Sequence, residues 1–372
     1  MEPKIRFKGF EGGWKEERLS EISSSIASGK NIDHKGPYPL YGSTGIIGTT
    51  DKPYHEGPML LVARVGANAG FLQLVNEKCG VSDNTLIVKP KDPVTDNYLF
   101  QYFKFFNLNR FIYGSGQPLI TGGMLKKMPV RYGLKEERET LIDYFTSLDS
   151  QISASTSRLA SLKQMNAASL QAMFPQEGEA VPKIRFKGFE GEWKKVKLGK
   201  LFSERIENNV DGEMLSVTMN NGIIKAAENG RFDNSNSDKS KYKVVKVGDI
   251  AYNSMRMWQG ASGCSQYEGI VSPAYTVVVP NANIHSLFFA YLFKTIPMIN
   301  LFRLHSQGLT KDTWNLKYPA FSIIEVSYPE SKAEQQAIAT YFTSLDSQIS
   351  LQSQRLEKLK QIKSACLDKM FV

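Results

Sequence analysis

The chain has 372 residues, 41% of them apolar, which is enough for two cores of ordinary size. Its net charge of +9 favours an anionic partner, and the excess is uneven: residues 1–180 hold 21 basic against 19 acidic residues, residues 181–372 hold 25 against 18. Three scattered cysteines exclude a disulfide framework, four charges in the first ten residues exclude a signal peptide, and the longest apolar run, 287–304, is interrupted by Lys294, Pro297 and Arg303. We therefore expect a protein of the reducing cytoplasm with no membrane partner.

The first element is a short segment, residues 3–12 (PKIRFKGFEG) followed by Trp14-Lys15, and it returns unchanged at 182–191 before Trp193-Lys194. After it comes a first block ending near Leu134. The sequence there predicts short strands over 59–63, 70–75 and 85–88, and an aromatic helix over 97–109. A Gly/Ser/Thr loop then leads to a short strand at Met128-Pro129.

The next element is long and is also repeated: residues 144–153 (YFTSLDSQIS) return at 341–350. Apolar residues Phe145, Leu148, Ile152, Leu159 and Leu162 form a heptad seam, with Ser155 as its polar position. The second copy keeps Phe342, Leu345, Ile349, Leu356 and Leu359, with Gln352 matching Ser155. Each copy predicts one helix of about 35–40 residues, roughly 55 Å long. A seam needs a partner, and two near-identical seams most simply pair with each other in antiparallel fashion. The other possibility is that each packs on its own domain.

Between the second short repeat and the second long one lies a different block. It predicts strands over 214–217, 249–253 and 275–279, an aromatic helix over 285–304, and a short strand with Tyr318-Pro319. Both aromatic helices contain a Phe-Lys pair, Phe103-Lys104 and Phe293-Lys294, and read as core rather than as stacking platforms. The expected architecture is mixed α/β. Two globular domains of similar fold (1–134 and 177–330) are separated by an antiparallel pair of repeated helices (135–176 and 331–372), related by a pseudo-two-fold axis.

Polar loops in both blocks offer candidates for nucleic-acid contact. In the first block these are Lys30, Lys35, Arg64, Asn68, Gln117, Lys126 and Lys127. In the second they are Lys241, Lys243, Arg256, Trp258, Gln259 and Lys311, with Lys241 and Lys243 sharing a face if they lie on a strand. Arginine and glutamine can make bidentate contacts to guanine and adenine, whereas lysines mostly meet phosphates. For any one of them a solvated surface is the alternative.

The order of short repeat, variable block and long helix, written twice, resembles the specificity subunits of type I restriction–modification systems. The resemblance is carried by residues 3–14 and 182–193, by Glu137 to Phe174 and Glu334 to Phe371, and by residues 248–260 and 269–275. Residues 36–42 are similar to another class of the family's target-recognition domains. The resemblance implies two target-recognition domains, each reading half of a split, asymmetric sequence in double-stranded DNA. It also implies two modification (methyltransferase) subunits docked on the repeated helices, and restriction/translocase subunits joined through that assembly. S-adenosylmethionine, ATP and Mg would then sit only on partner subunits. This chain would hold no cofactor or metal and would not itself be an enzyme.

An enzyme reading fares worse on the residues. Ser272-Pro-Ala-Tyr275 is superficially similar to an amino-methyltransferase motif, but Ala274 replaces its second proline. Residues 64–70 carry glycines without the helix that a cofactor loop needs. Glu192-Trp-Lys194 has a nuclease-like spacing, yet the first copy has Gly13 in place of Glu192. His34, His55, His285 and His305 show no metal-ligand spacing. A purely structural adaptor would explain the helices and leave two different α/β blocks without a task.

Overall fold

The structure is a computed structural model that describes residues 2–30, 35–111, 118–219, 221–229 and 238–372. It divides into two compact units: residues 1–157 with 353–372, and residues 158–352. Each unit thus takes one block, the start of one long helix and the end of the other.

In the first unit β1 (Lys15–Arg18) and α1 (Leu19–Ile22) lead into β2 (Ser23–Ser28). A run of strands follows: β3 (Tyr38–Gly42), β4 (Gly45–Thr50), β5 (His55–Glu56), β6 (Met59–Ala63), β7 (Leu72–Val75), β8 (Lys78–Val81) and β9 (Thr85–Pro90). Then come α2 (Pro93–Phe106), α3 (Gly122–Lys127), β10 (Pro129–Tyr132) and the long α4 (Lys135–Ala172). The central sheet has the order β2-β9-β6-β7, all antiparallel, and a smaller sheet runs β4-β3-β8-β5. Period-two alternation gives the central sheet two buried faces. Leu60 and Val62 of β6 join the core under α2, while Met59 and Leu61 face the core that includes Cys79 and Val81.

Helix α2 is capped by Asp92, whose carboxylate accepts from the Thr95 amide at 3.1 Å. One turn on, Asp96 is buried and its Oδ1 has no partner. Burial, reinforced by the charge of Asp92, pushes its carboxyl up to about 6. The folded state therefore holds this proton better than the unfolded chain, and stability falls as pH rises from about 4 to about 6. Asp96→Asn should flatten that slope. It should gain on the order of 2 kcal/mol at pH 7 and nothing at pH 4, measured by urea unfolding at both pH values. A loss of stability at pH 7 would show that the carboxylate is held by the fold.

The second unit repeats the plan. Strand β11 (Lys194–Lys197), α5 (Leu198–Leu201) and β12 (Phe202–Glu204) come first. Strands β13 (Leu215–Thr218), β14 (Gly222–Lys225), β15 (Lys243–Val245), β16 (Ile250–Asn253), β17 (Ser262–Cys264), β18 (Gly269–Val271) and β19 (Tyr275–Pro280) follow. Then come α6 (Ser286–Leu292), α7 (Ile296–His305), α8 (Tyr318–Ser322), β20 (Glu325–Tyr328) and the long α9 (Lys332–Met370). The central sheet has the order β12-β19-β16-β17, the same path as β2-β9-β6-β7. Ile250 and Tyr252 face one core and Ala251 the other.

Three expectations are corrected here. The aromatic helix over 285–304 is two helices, α6 and α7, bent by 82°. Thr295 is extended at the break, and Pro297 in the first turn of α7 removes a donor that a continuous helix would need. Tyr318-Pro319 opens α8 rather than a strand, with the proline in the first turn where its missing N–H costs nothing, and the strand follows at β20. Lys241 lies in a turn ahead of β15, so it does not share a strand face with Lys243. Among the described residues no single helix is long and apolar enough to cross a membrane; the bent α6–α7 pair passes only on length and composition.

The long helices run 38 and 39 residues. In the first unit the start of α4 meets the end of α9. Tyr144 Oη lies 3.3 Å from Cys366 Sγ, and Asp149 pairs with Lys363. The partner falls as the first number rises, which is antiparallel packing. In the second unit Ser169 meets Tyr341 at 2.8 Å and Asn166 donates to Asp346 at 3.1 Å, again antiparallel. Of the seam residues, Phe145, Leu148, Leu162, Phe342, Leu345 and Leu356 are buried; Ile152, Leu159, Ile349 and Leu359 are half-buried. The polar positions Ser155 and Gln352 are buried as well.

The short repeat is a latch between helix ends. In the first unit Arg6 grips Glu137, in the first turn of α4, through Nε (2.7 Å) and Nη2 (2.8 Å). Trp14 Nε1 donates to the same carboxylate at 3.2 Å, and Arg6 Nη1 donates to Gly12 O. The amide of Ile5 caps α9 by donating to Lys369 O at 3.0 Å. The second unit does the same with Arg185, Glu334, Trp193 and Gly191, and Ile184 N donates to Ala172 O at the end of α4. A carboxylate in a first helical turn suits the dipole, and the guanidinium fork supplies the pairing that its burial requires.

Candidate nucleic-acid interface

In each unit the chain leaves the end of a central strand, makes one 3-10 turn and returns. After β6, the Arg64 amide donates to Asn84 O (2.9 Å) and its carbonyl accepts from Ile120 N (2.8 Å). Gly66, at φ +75°, opens the turn Gly66–Asn68, and its amide donates to Pro118 O (3.1 Å). After β16, Ser254 takes the place of Arg64: its amide donates to Ala274 O (3.3 Å) and its carbonyl accepts from Leu316 N (2.8 Å). Arg256 then begins the turn Met257–Gln259, which Gly260 closes at φ +81°. The backbone clamp is shared, and the side chains it presents differ.

On the first turn Asn68 is exposed, and Arg64 is half-buried with its Nε buried and unpartnered. Exposed Lys30 follows Gly29 at the same sheet end. A Cβ on Gly29 would overlap the Val81 and Ser82 carbonyls, so the backbone there lies against the loop that also holds Asn84. Lys126 and Lys127 are exposed on the last turn of α3, next to Met128, whose carbonyl accepts from Leu19 N at the other end of β2. They do not join this group. Lys35 is exposed ahead of β3, beside the smaller sheet. Gln117 lies outside the described residues.

On the second turn Arg256 is exposed and its Nη1 donates to Gln259 Oε1 at 3.2 Å, so the two polar heads lie side by side. Trp258 Nε1 donates to Met255 O (3.0 Å), and its ring meets Trp314 edge-on at 5.3 Å. Trp314 follows the 3-10 turn Lys311–Thr313, where Lys311 is exposed; the loop closes through paired bonds between Gln307 and Asn315. The structure thus brings Arg256, Trp258, Gln259 and Lys311 into one neighbourhood. Lys241 is exposed, but Lys243 pairs with Glu204 at 3.4 Å, and is a poorer candidate for a phosphate.

Sequence reasoning missed Trp314 and Lys294. Trp314 stood unremarked beside Lys311, although an indole in a Gly/Thr loop is itself a signal. Lys294 was visible as half of a Phe-Lys pair, but its bonds are long-range. Two of the three thiols are poorly suited to nucleophilic work: burial pushes Cys79 up to about 11 and the half-buried Cys264 up to about 12. Among the described residues no group of three His, Cys, Asp or Glu side chains is placed to hold a metal.

The family model described as type I restriction modification DNA specificity domain matches the chain twice, over residues 11–164 and 190–361. The chain belongs to the type I restriction–modification specificity family. Its two matches each take in one block, the turn after its central strand and most of one long helix. A curated relative, the Type I restriction enzyme EcoprrI specificity subunit of Escherichia coli, is 25% identical over 159 residues, 40% of each chain. The match thus spans two fifths of that relative's length. Among solved structures, the type I restriction–modification system S subunit from M. genitalium superposes with a TM-score of 0.67 at 15% identity, covering 100% of this chain and 99% of that one. A second, from work on complex assembly and conformational transition of the type I R-M system, gives 0.50 at 15% identity, covering 97% and 98%. At that identity the likeness bears on the fold, which the family's solved S subunit shares along its whole length.

Proposed function

We propose that this chain is the non-catalytic reader of a type I restriction–modification complex, recognising a split, asymmetric sequence in duplex DNA. The observation that carries this reading is the twice-built turn: one backbone clamp presents Arg64 and Asn68 in the first unit and Arg256, Trp258 and Gln259 in the second. A shared frame with dissimilar side chains is what reading two different half-sites requires. Groove contacts supply base choice, and phosphate contacts supply salt-dependent affinity. Counted by unit, the basic excess is shared, +5 in the first and +4 in the second, so both contribute to that affinity. The long helices dock two modification subunits, restriction/translocase subunits join through them, and S-adenosylmethionine, ATP and Mg act on those partners.

Exchanging residues 14–134 for another member's block tests the reading. Methylation-sensitive sequencing of a genome, with the partners co-expressed, should then show one half of the target rewritten and the other unchanged. Both halves changing together would defeat the assignment of one half-site per unit. Inserting one helical turn of four residues near Arg158–Lys163 should lengthen the unread gap by about one to two base pairs, given about 6 Å of added helix and 3.4 Å per base pair. New recognised bases, rather than a new gap, would refute the spacer role. Binding to duplex DNA, measured with and without a modification subunit, separates a reader from an adaptor.

A further inference from the structure

Lys294 stands at the break between α6 and α7 with its ammonium turned inward. Its Nζ donates to Gly260 O and to Met219 O, the latter at 3.0 Å. Gly260 closes the turn that carries Arg256, Trp258 and Gln259, and Met219 follows β13 in the β13–β14 hairpin. Drawing a cation partly out of water onto carbonyl partners is costly. Among the described residues Asp346 acts on it through space, and burial lowers the ammonium to about 8. Closing a corner between two helices needs no such group. In the first unit the lysine of the matching Phe-Lys pair does something else: Lys104 lies over the Phe100 ring at 3.9 Å and pairs with Asp149 of α4 at 3.4 Å. The position keeps its lysine, and only in the second unit is that lysine bonded to the turn's closing carbonyl.

We propose that Lys294 is a positioning residue for base choice: by holding Gly260 and Met219 it fixes the direction of Arg256 and Gln259 without itself touching DNA. The proposal rests on the reading of this turn as a DNA-facing element. Ile299 of α7 lies against Gly260 by packing alone, whereas Lys294 bonds the backbone of both the turn and the hairpin. Its loss should therefore alter which bases are preferred, and not the number of phosphates neutralised.

The test uses the full chain with its modification subunits, and duplexes carrying its mapped target or single-base changes in either half. Lys294→Met removes the donors while keeping most of the volume. We expect discrimination against wrong bases in the second unit's half to fall about tenfold, with the other half untouched. The dependence of affinity on salt should keep its slope. Lys294→Gln, which keeps an amide donor, should lose less; should the Met variant fail to fold, Gln carries the test. Unchanged discrimination, a salt slope smaller by about one, or equal losses in both halves would each overturn the proposal. Arg256→Ala separates the two levels. If it too leaves base choice unchanged, the DNA-facing reading fails; if it changes base choice while Lys294→Met does not, only the positioning role fails.

Discussion

Phe371→Ala should destabilise the first unit by about 3–5 kcal/mol, the usual cost of emptying a buried aromatic site. The ring is 4% exposed although it stands one residue from the end of the chain. It meets Phe145 at 5.5 Å, Tyr98 at 5.6 Å, Phe105 at 5.7 Å and Trp14 at 6.4 Å, so aromatic side chains from three segments (the short repeat, α2 and α4) converge on it. Hydrogen exchange would localise the loss. Amides of Leu60–Val62 should lose protection while those of β16 keep it. Phe174→Ala should do the converse, because Phe174 meets Phe288, Phe342 and Trp193 in the second unit. A loss under about 1 kcal/mol, or equal loss of protection in both sheets, would mean that these phenylalanines do not complete the cores.

Arg6→Ala should cost about 3 kcal/mol, because it leaves the Glu137 carboxylate buried with Trp14 as its remaining side-chain donor. The cost belongs to the abandoned charge more than to the lost bond. Replacing both partners, Arg6→Met with Glu137→Met, should therefore recover most of it. Denaturant unfolding of the two single variants and the double gives the coupling directly. If the double variant lost the sum of the singles, the pair would be no more than two independent packing sites. Arg185 and Glu334 offer the same experiment in the second unit.

Much of this architecture was open to reading in the primary structure because it depends on short-range periodicity. The seams of α4 and α9 and the short apolar runs of β6 and β16 are local patterns, and local patterns predict local structure. The latch is different. Arg6, Trp14 and Glu137 recur together as Arg185, Trp193 and Glu334, so their joint retention was visible, but nothing local says that they touch. The break at Lys294–Thr295 was half visible: Lys294 and Pro297 ruled out a membrane span, yet the aromatic run still read as one helix. What decides it is tertiary, since Lys294 turns to carbonyls more than thirty residues away. At the candidate interface the turn residues Arg64, Asn68, Arg256 and Gln259 were legible as polar types after strands. Their grouping was not, because Ile120 and Leu316 return to the turns from the far end of each block.

The first unit is assembled from two ends of the chain, with everything after Ser157 and before Ser353 spent elsewhere. A ribosome making this protein therefore releases the parts in a particular order. Every residue of the second unit is synthesised before the first unit receives its closing phenylalanine. The amino-terminal half, made first, must wait as an unfinished nascent fold until residues 353–371 have been made. A message cut short after residue 352 would yield a chain whose second unit is whole and whose first unit is left open.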